Sequence, residues 1–205
     1  RIYKEMLIFK IEGLEELTKE LQEFPKAIQR ATRSAIDTTA TAVKNLGIDE
    51  SYRVYNVEMA RLLKDSRGRV TSVVKRTTQT NPTAIVTFKG GDNPKAGDRP
   101  GLQHFATNKP PSKRTSGWKP IYAITRGGTP KTVKRGFFGE GKLKGQGIFQ
   151  RQEGTKKIVR QTGSSLKQMV MSSAVYPRIE KEGMSILAQK LIEAVDKQLK
   201  KMGRK

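Results

Sequence analysis

The chain contains no cysteine. That excludes a disulfide framework, a thiolate zinc site and a cysteine nucleophile, and it fits a cytosolic origin. Its single histidine, His104, excludes a metal site built from several histidines. Aromatic residues make up only 6% and hydrophobic residues 35%, so 205 residues of this composition can bury no large core. Long apolar runs are missing too. The longest near the start, Met6-Leu7-Ile8-Phe9, is too short for a signal peptide or a membrane span. The chain begins with Arg1, and Met6 is a conceivable natural start. Beyond residue 50 acidic side chains are sparse. A hydrolase or nuclease needs several converging carboxylates, so this scarcity argues against an enzyme.

Positive charge is abundant. The net charge is +22, and it is unevenly spread. Residues 1–50 carry 8 basic and 9 acidic side chains; residues 51–205 carry 33 and 10. Such a field draws in phosphates or acidic protein surfaces, and it opposes close self-packing unless something neutralises it. Charge alone leaves both partners open, and solubility with them.

Periodicity supplies the elements. Leu7 to Ile11 reads as a short strand and Glu12-Gly13 as a break. Leu14, Leu17 and Leu21 recur at helical spacing with Glu15, Glu16, Glu20 and Glu23 on the wet side. Pro25 suits the first turn of a second helix, along which Ala27, Ala31 and Ala35, with Ile28 and Ile36, form a stripe of small side chains that Val43 and Leu46 extend. Such a stripe lets another backbone approach, so these alanines are candidate subunit contacts. Gly47 reads as that helix's C-terminal stop. Asn56 is placed to cap a short helix through Leu63, with Met59, Leu62 and Leu63 turned inward.

The pattern then turns β. Val70 to Thr77 and Thr83 to Phe88, separated by Asn81-Pro82, predict a hairpin. Further strands are expected over Pro120 to Arg126, Lys131 to Phe138, Ile148 to Gln152 and Lys156 to Thr162, with Glu153-Gly154-Thr155 turning the last pair. Ser164 to Met171 suggests a short helix. Ile179 to Met202 suggests a long amphipathic one, with Ile179, Ile186, Leu187, Leu191, Val195 and Leu199 on one side. Residues 89–119, punctuated by Gly and Pro and rich in Lys and Arg, match no element and read as a flexible basic arm. The expectation is one α+β domain over residues 1–205, with N-terminal helices, an antiparallel sheet carrying long basic loops, and a long C-terminal helix.

Reactive constellations fail on inspection. Gly136 to Leu143 reads G-F-F-G-E-G-K-L, but Leu143 stands where a phosphate-binding loop needs a hydroxyl for magnesium. His104, between Gln103 and Phe105, reads as a turn anchored by its apolar neighbours rather than a catalytic base. No catalytic, cofactor-binding or metal-ligating residue and no cofactor is expected. Trp118 and Tyr122 lie near Lys113, Arg114 and Lys119, a weak form of aromatic–basic interleaving. No zinc finger, RNP-type strand or helix-turn-helix pattern is present, so any DNA contact would ignore base sequence.

Four stretches carry a resemblance. Ile11-Glu12-Gly13-Leu14-Glu15-Glu16-Leu17 opens before the Ala-rich helix. Ala84 to Phe88 is followed at a distance by Gly101-Leu102-Gln103-His104-Phe105. Gly136-Phe137-Phe138 precedes Gly147 to Arg151. Lys157 to Arg160 leads into Gly163 to Met169. Together they resemble the lambda-type minor tail protein Z family of long-tailed phages, within the wider group of tail-component and tail-completion (neck) proteins. Ser164 and Gly136 depart from that family's usual Pro and Ala.

The resemblance implies a structural virion protein at the head-proximal end of the tail, made in the bacterial cytoplasm and needed for tail assembly or head–tail joining. It implies a homo-oligomer, a ring around the DNA channel. The implied partners are the tail terminator, tail tube or neck proteins, and packaged DNA contacted without regard to sequence, with no membrane involved. The cations placed to face DNA or an acidic neighbour are Lys109, Lys113, Arg114 and Lys119 in the arm, and Lys131, Lys134, Arg135, Lys142 and Lys144 in a second basic loop. The alternative function is a basic, sequence-independent nucleic-acid-binding protein.

Overall fold

The computed structural model describes residues 6–9, 26–64, 69–78, 82–90, 99–108, 119–139 and 147–202. The fold is α+β. In order the elements are β1 (Met6–Phe9), α1 (Lys26–Val54), α2 (Met59–Leu63), β2 (Ser72–Lys75), β3 (Ile85–Lys89), a 3-10 turn (Leu102–Phe105), β4 (Ile121–Tyr122), β5 (Lys131–Thr132), β6 (Gly136–Phe138), β7 (Ile148–Arg151), β8 (Ile158–Arg160), α3 (Leu166–Val170) and α4 (Tyr176–Met202). The expected helix through Leu14, Leu17 and Leu21 lies outside the described residues, as does Asn81 of the expected turn. One domain was expected, and the contacts divide into two compact units. The first draws on Arg1–Glu50, Ser72–Phe88 and Val170–Lys205, the second on Ser51–Thr71 and Lys89–Met169.

In the first unit a three-stranded sheet, ordered β1-β3-β2, accompanies the two long helices. The predicted hairpin is present, with Ser72 opposite Phe88 and Lys75 opposite Ile85. Helix α1 buries Ile28, Thr32, Ala35, Ile36, Thr39, Ala40 and Val43. Of the expected stripe, Ile28, Ala35, Ile36 and Val43 are buried, Ala31 is half-buried and Ala27 is exposed. The large side chains of Ile28, Ile36 and Val43 gain most from burial and set the helix's rotation.

Gly47 does not stop the helix, which runs on to Val54. A Cβ at Gly47 would lie 2.5 Å from Cζ of Phe88, whose ring is 0% exposed. The glycine is there for close packing, and the tertiary contact outweighs its poor helix propensity. In α4, Ile179 and Leu187 are buried, Gly183 sits against Val43, and Ile186, Leu191 and Val195 are half-buried. Leu199, expected inward, is exposed. Glu50, with its side chain 5% exposed, pairs with Arg178 Nη1 at 3.2 Å. That bond keeps a buried carboxylate satisfied.

The second unit holds the sheets β4-β5 and β6-β7-β8. The segment read as one strand over Lys131 to Phe138 is two strands in different sheets. Between them Val133 is buried, Gly136 N donates to Val133 O, and Arg135 adopts a left-handed φ of 54°. A Cβ at Gly136 would lie 2.5 Å from Val133 Cβ, so the turn closes only over glycine. The β7–β8 hairpin forms as expected, with Gly154 at φ 71° in its turn. The capping role given to Asn56 is corrected: α2 starts at Met59 after Glu58, while Asn56 N donates to Ile124 O. Leu62 is buried, but Leu63 faces solvent.

The arm expected at 89–119 is corrected at both its start and its centre. Lys89 closes β3, and residues 99–108 are built into the unit. Leu102 N donates to Gln161 O, Ala123 N to Phe105 O and Thr107 N to Ile121 O. Phe105 is fully buried, and a Cβ at Gly163 would lie 2.0 Å from its ring, so glycine is needed there. The remaining arm residues, 91–98 and 109–118, lie outside the described residues. Helix α3 opens on a reciprocal cap: Ser165 N donates to Gln168 Oε1 and Gln168 N to Ser165 Oγ. The opening expected at Ser164 is shifted by one residue, because the Ser-x-x-Gln pattern from Ser165 forms a capping box.

Candidate nucleic-acid interface

Of the nine cations singled out by sequence, Lys109, Lys113, Arg114, Lys142 and Lys144 lie outside the described residues. The others stand exposed on the second unit. Lys119 lies just before β4 and is tied to Asn108. Asn108 Nδ2 donates to Lys119 O at 3.0 Å, and its Oδ1 accepts from Ile121 N at 2.8 Å. Lys131 is in β5. Lys134 and Arg135 occupy the β5–β6 turn, where Gln150 Nε2 donates to Lys134 O at 3.0 Å. Arg135 pairs with Glu153 at 3.1 Å with both side chains well exposed, a bond that is weak in water.

Strand register adds cations that sequence reasoning missed. In β6-β7-β8, Phe137 pairs with Phe149 and Phe149 with Arg160, while Arg151 pairs with Ile158. Directly opposed residues share a face, so Phe137, Phe149, Arg151, Ile158 and Arg160 lie together. The two phenylalanine rings stack at 6.1 Å, and Arg151 sits over Phe137 at 5.4 Å from its centroid. Phe149 is buried, and Phe137 is half-buried with Arg151 over its ring. Lys156 and Lys157 are exposed in the adjoining hairpin turn. This surface can hold phosphates or carboxylates through Lys and Arg.

His104 sits in the 3-10 turn whose flanking Leu102 and Phe105 are buried, as the sequence suggested. Gln103 Nε2 lies 3.2 Å from His104 Nε2, and Gln103 Oε1 is buried without a partner. Burial lowers the histidine's pKa; Arg61 and Arg160 lower it further, and Glu58 opposes them. A folded pKa depressed below the ordinary value of about 6.5 means the unfolded chain binds the proton first. Stability is then full above about 6.5 and falls as pH drops through that value. Thermal melts from pH 7.5 to 5 should show His104→Gln losing less stability than the parent; equal losses would remove His104 as the cause.

The stretch from Gly136 to Leu143, weighed above as a phosphate loop, begins as strand β6; residues 140–146 lie outside the described residues. Among the described residues no three His, Cys, Asp or Glu gather as metal ligands, and no helix is long and apolar enough to cross a membrane.

The first unit contributes an open groove of about 880 Å³ between α1 and residues 76–78. Arg30, Arg33, Asp37 and Asn45 line one wall, Arg76 and Thr78 the other. Asp37 Oδ1 accepts from Thr77 N at 2.8 Å and so fixes the second wall to the helix. These arginines were also missed, although the spacing 30, 33, 37, 41, 45 puts a polar seam on α1 where apolar residues usually recur. No family model, curated protein or solved structure matches this chain.

Proposed function

We propose that the protein is a non-enzymatic structural subunit of a tailed-phage virion, a minor tail or tail-completion protein at the head-proximal end of the tail. The four sequence stretches that resemble the tail protein Z family suggest that location. The observation that carries the assembly role is the outer face of α4. Met184, Ile192 and Leu199 are 54%, 63% and 51% exposed, and at 100° per residue they fall within a sector of about 80°. A long helix with an apolar stripe toward solvent suits a neighbouring subunit better than water. It favours the C-terminal helix over the alanine stripe of α1, since Ala35 is already buried.

In this reading the subunits form a ring, the exposed cations of the second unit face DNA or an acidic tail or neck protein, and no side chain performs chemistry. Electron microscopy of particles containing a labelled copy is the test. Density at the head–tail junction in symmetric copy number is the expected result. Label elsewhere in the particle, or none, sinks the assignment. Tight, salt-dependent DNA binding by an isolated monomer that never enters particles would favour the alternative, a basic nucleic-acid-binding protein.

A further inference from the structure

We propose that the first unit binds the sugar–phosphate backbone of a nucleic acid in the groove between α1 and residues 76–78, through Arg30, Arg33 and Arg76. The groove stands on geometry alone, and the choice of nucleic acid over an acidic protein rests on the channel reading above.

Sequence placed positive charge beyond residue 50, since residues 1–50 balance to −1. Folding overrides that balance locally. Arg30 and Arg33, one helical turn apart, meet Arg76 from the end of the β2 segment, and Asp37 is the one carboxylate among the described lining residues. Asp37 is already engaged by the Thr77 N–H at 2.8 Å. Arg33 Nε donates to Gln29 O at 3.3 Å and its Nη1 to Thr78 O at 3.4 Å. Those two bonds hold the guanidinium in place and leave other N–H donors of its fork free for a ligand. The side chains of Arg30 and Arg76 make no hydrogen bond or ion pair among the described residues. Three guanidiniums therefore line one shared opening, two of them with no partner among the described residues.

The lining also tells what does not fit. Thr38 and Thr41 donate their hydroxyl protons to Ser34 O and Asp37 O of their own helix, which leaves the arginines, Ser34, Asn45 and the hydroxyls of Thr77 and Thr78 as the donor groups among the described lining residues. Ala42 is the sole apolar residue among the described lining residues, so they form no apolar pocket for a buried side chain or a base. A small organic ligand wants an enclosed, mostly apolar pocket, and this groove is open, with guanidinium, amide and hydroxyl groups in its lining. An acidic peptide would leave its apolar side chains unhoused. A phosphodiester backbone needs only the cations. Along α1 the lining from Arg30 to Asn45 covers about 22 Å, a length over which one DNA strand presents about six phosphates.

The test is binding of a random-sequence duplex by the full chain at several salt concentrations. Each phosphate contact contributes about 0.9 to the log–log salt slope. The triple variant Arg30→Gln, Arg33→Gln, Arg76→Gln should lose about 2.7 from that slope. Arg30→Gln with Arg76→Gln, which keeps the two Arg33 bonds, should lose about 1.8 and guards against a folding defect. Asp37→Asn, which retains an acceptor for Thr77 N but removes a negative charge, should bind a few-fold tighter. Unchanged slopes in the arginine variants, or weaker binding by Asp37→Asn, overturn the proposal. So does a poly-glutamate peptide that depends on the three arginines when DNA does not. The measurement uses purified protein, so a negative result leaves the virion assignment to the microscopy.

Discussion

A chain carrying Ile192→Glu and Leu199→Glu should fold as the parent does and fail to assemble. Both side chains are more than half exposed on α4, and glutamate is a good helix former, so the melting temperature should barely move. In an assembled ring the same positions would bury two carboxylates without partners. Central apolar contacts at interfaces are each worth about 2 kcal/mol or more, and 1.4 kcal/mol is tenfold in affinity. Loss of both should weaken self-association or particle incorporation at least about 100-fold. Sedimentation of the purified chain and counting of its copies in particles provide the readings. Normal incorporation of the double variant would remove the outer face of α4 as a subunit contact.

The second large effect concerns the first unit's core. Phe88→Ala should destabilise the protein by about 3–5 kcal/mol, because a fully buried ring leaves a cavity that the surrounding elements fill only in part. At this chain length that lowers the melting temperature by about 10 °C or more. Gly47→Ala should also destabilise, by about 1–3 kcal/mol, despite the better helix propensity of alanine. Its new methyl would lie 2.5 Å from Cζ and 2.9 Å from Cε1 of the Phe88 ring, which has no room to retreat. In the Phe88→Ala background that clash is gone, and Gly47→Ala should turn neutral or stabilising. A double-mutant cycle by thermal or urea unfolding gives the coupling. Additive losses would mean that Gly47 serves α1 by some means other than making room for Phe88.

Those two residues also mark where local reading of the sequence stops. Gly47 carries the local mark of a helix end, and helix propensity alone would end α1 there. What continues the helix is a ring from a strand 41 positions away, and no window around Gly47 contains it. The burial of the alanine stripe is uneven for a related reason. Ala27, Ala31 and Ala35 do share a helical spacing, but the larger Ile28, Ile36 and Val43 decide which side turns inward.

The elements best specified by sequence are those whose signal is local. The β2–β3 and β7–β8 hairpins rest on β-branched runs, the second with Gly154 in its turn, and α4 rests on a long 3.6-residue period. The overall excess of positive charge, the lack of thiol chemistry and the α+β class likewise follow from the residues themselves. The tertiary structure alone decided which cations meet. Arg76 joins Arg30 and Arg33 across 43 positions of chain, and strand register sets Arg151 over Phe137. It also drew residues 99–108, rich in loop formers, into the second unit's core through Leu102 and Phe105. Periodicity states which side chains favour burial; only the folded chain supplies the surfaces that bury them, because those contacts join residues far apart in sequence.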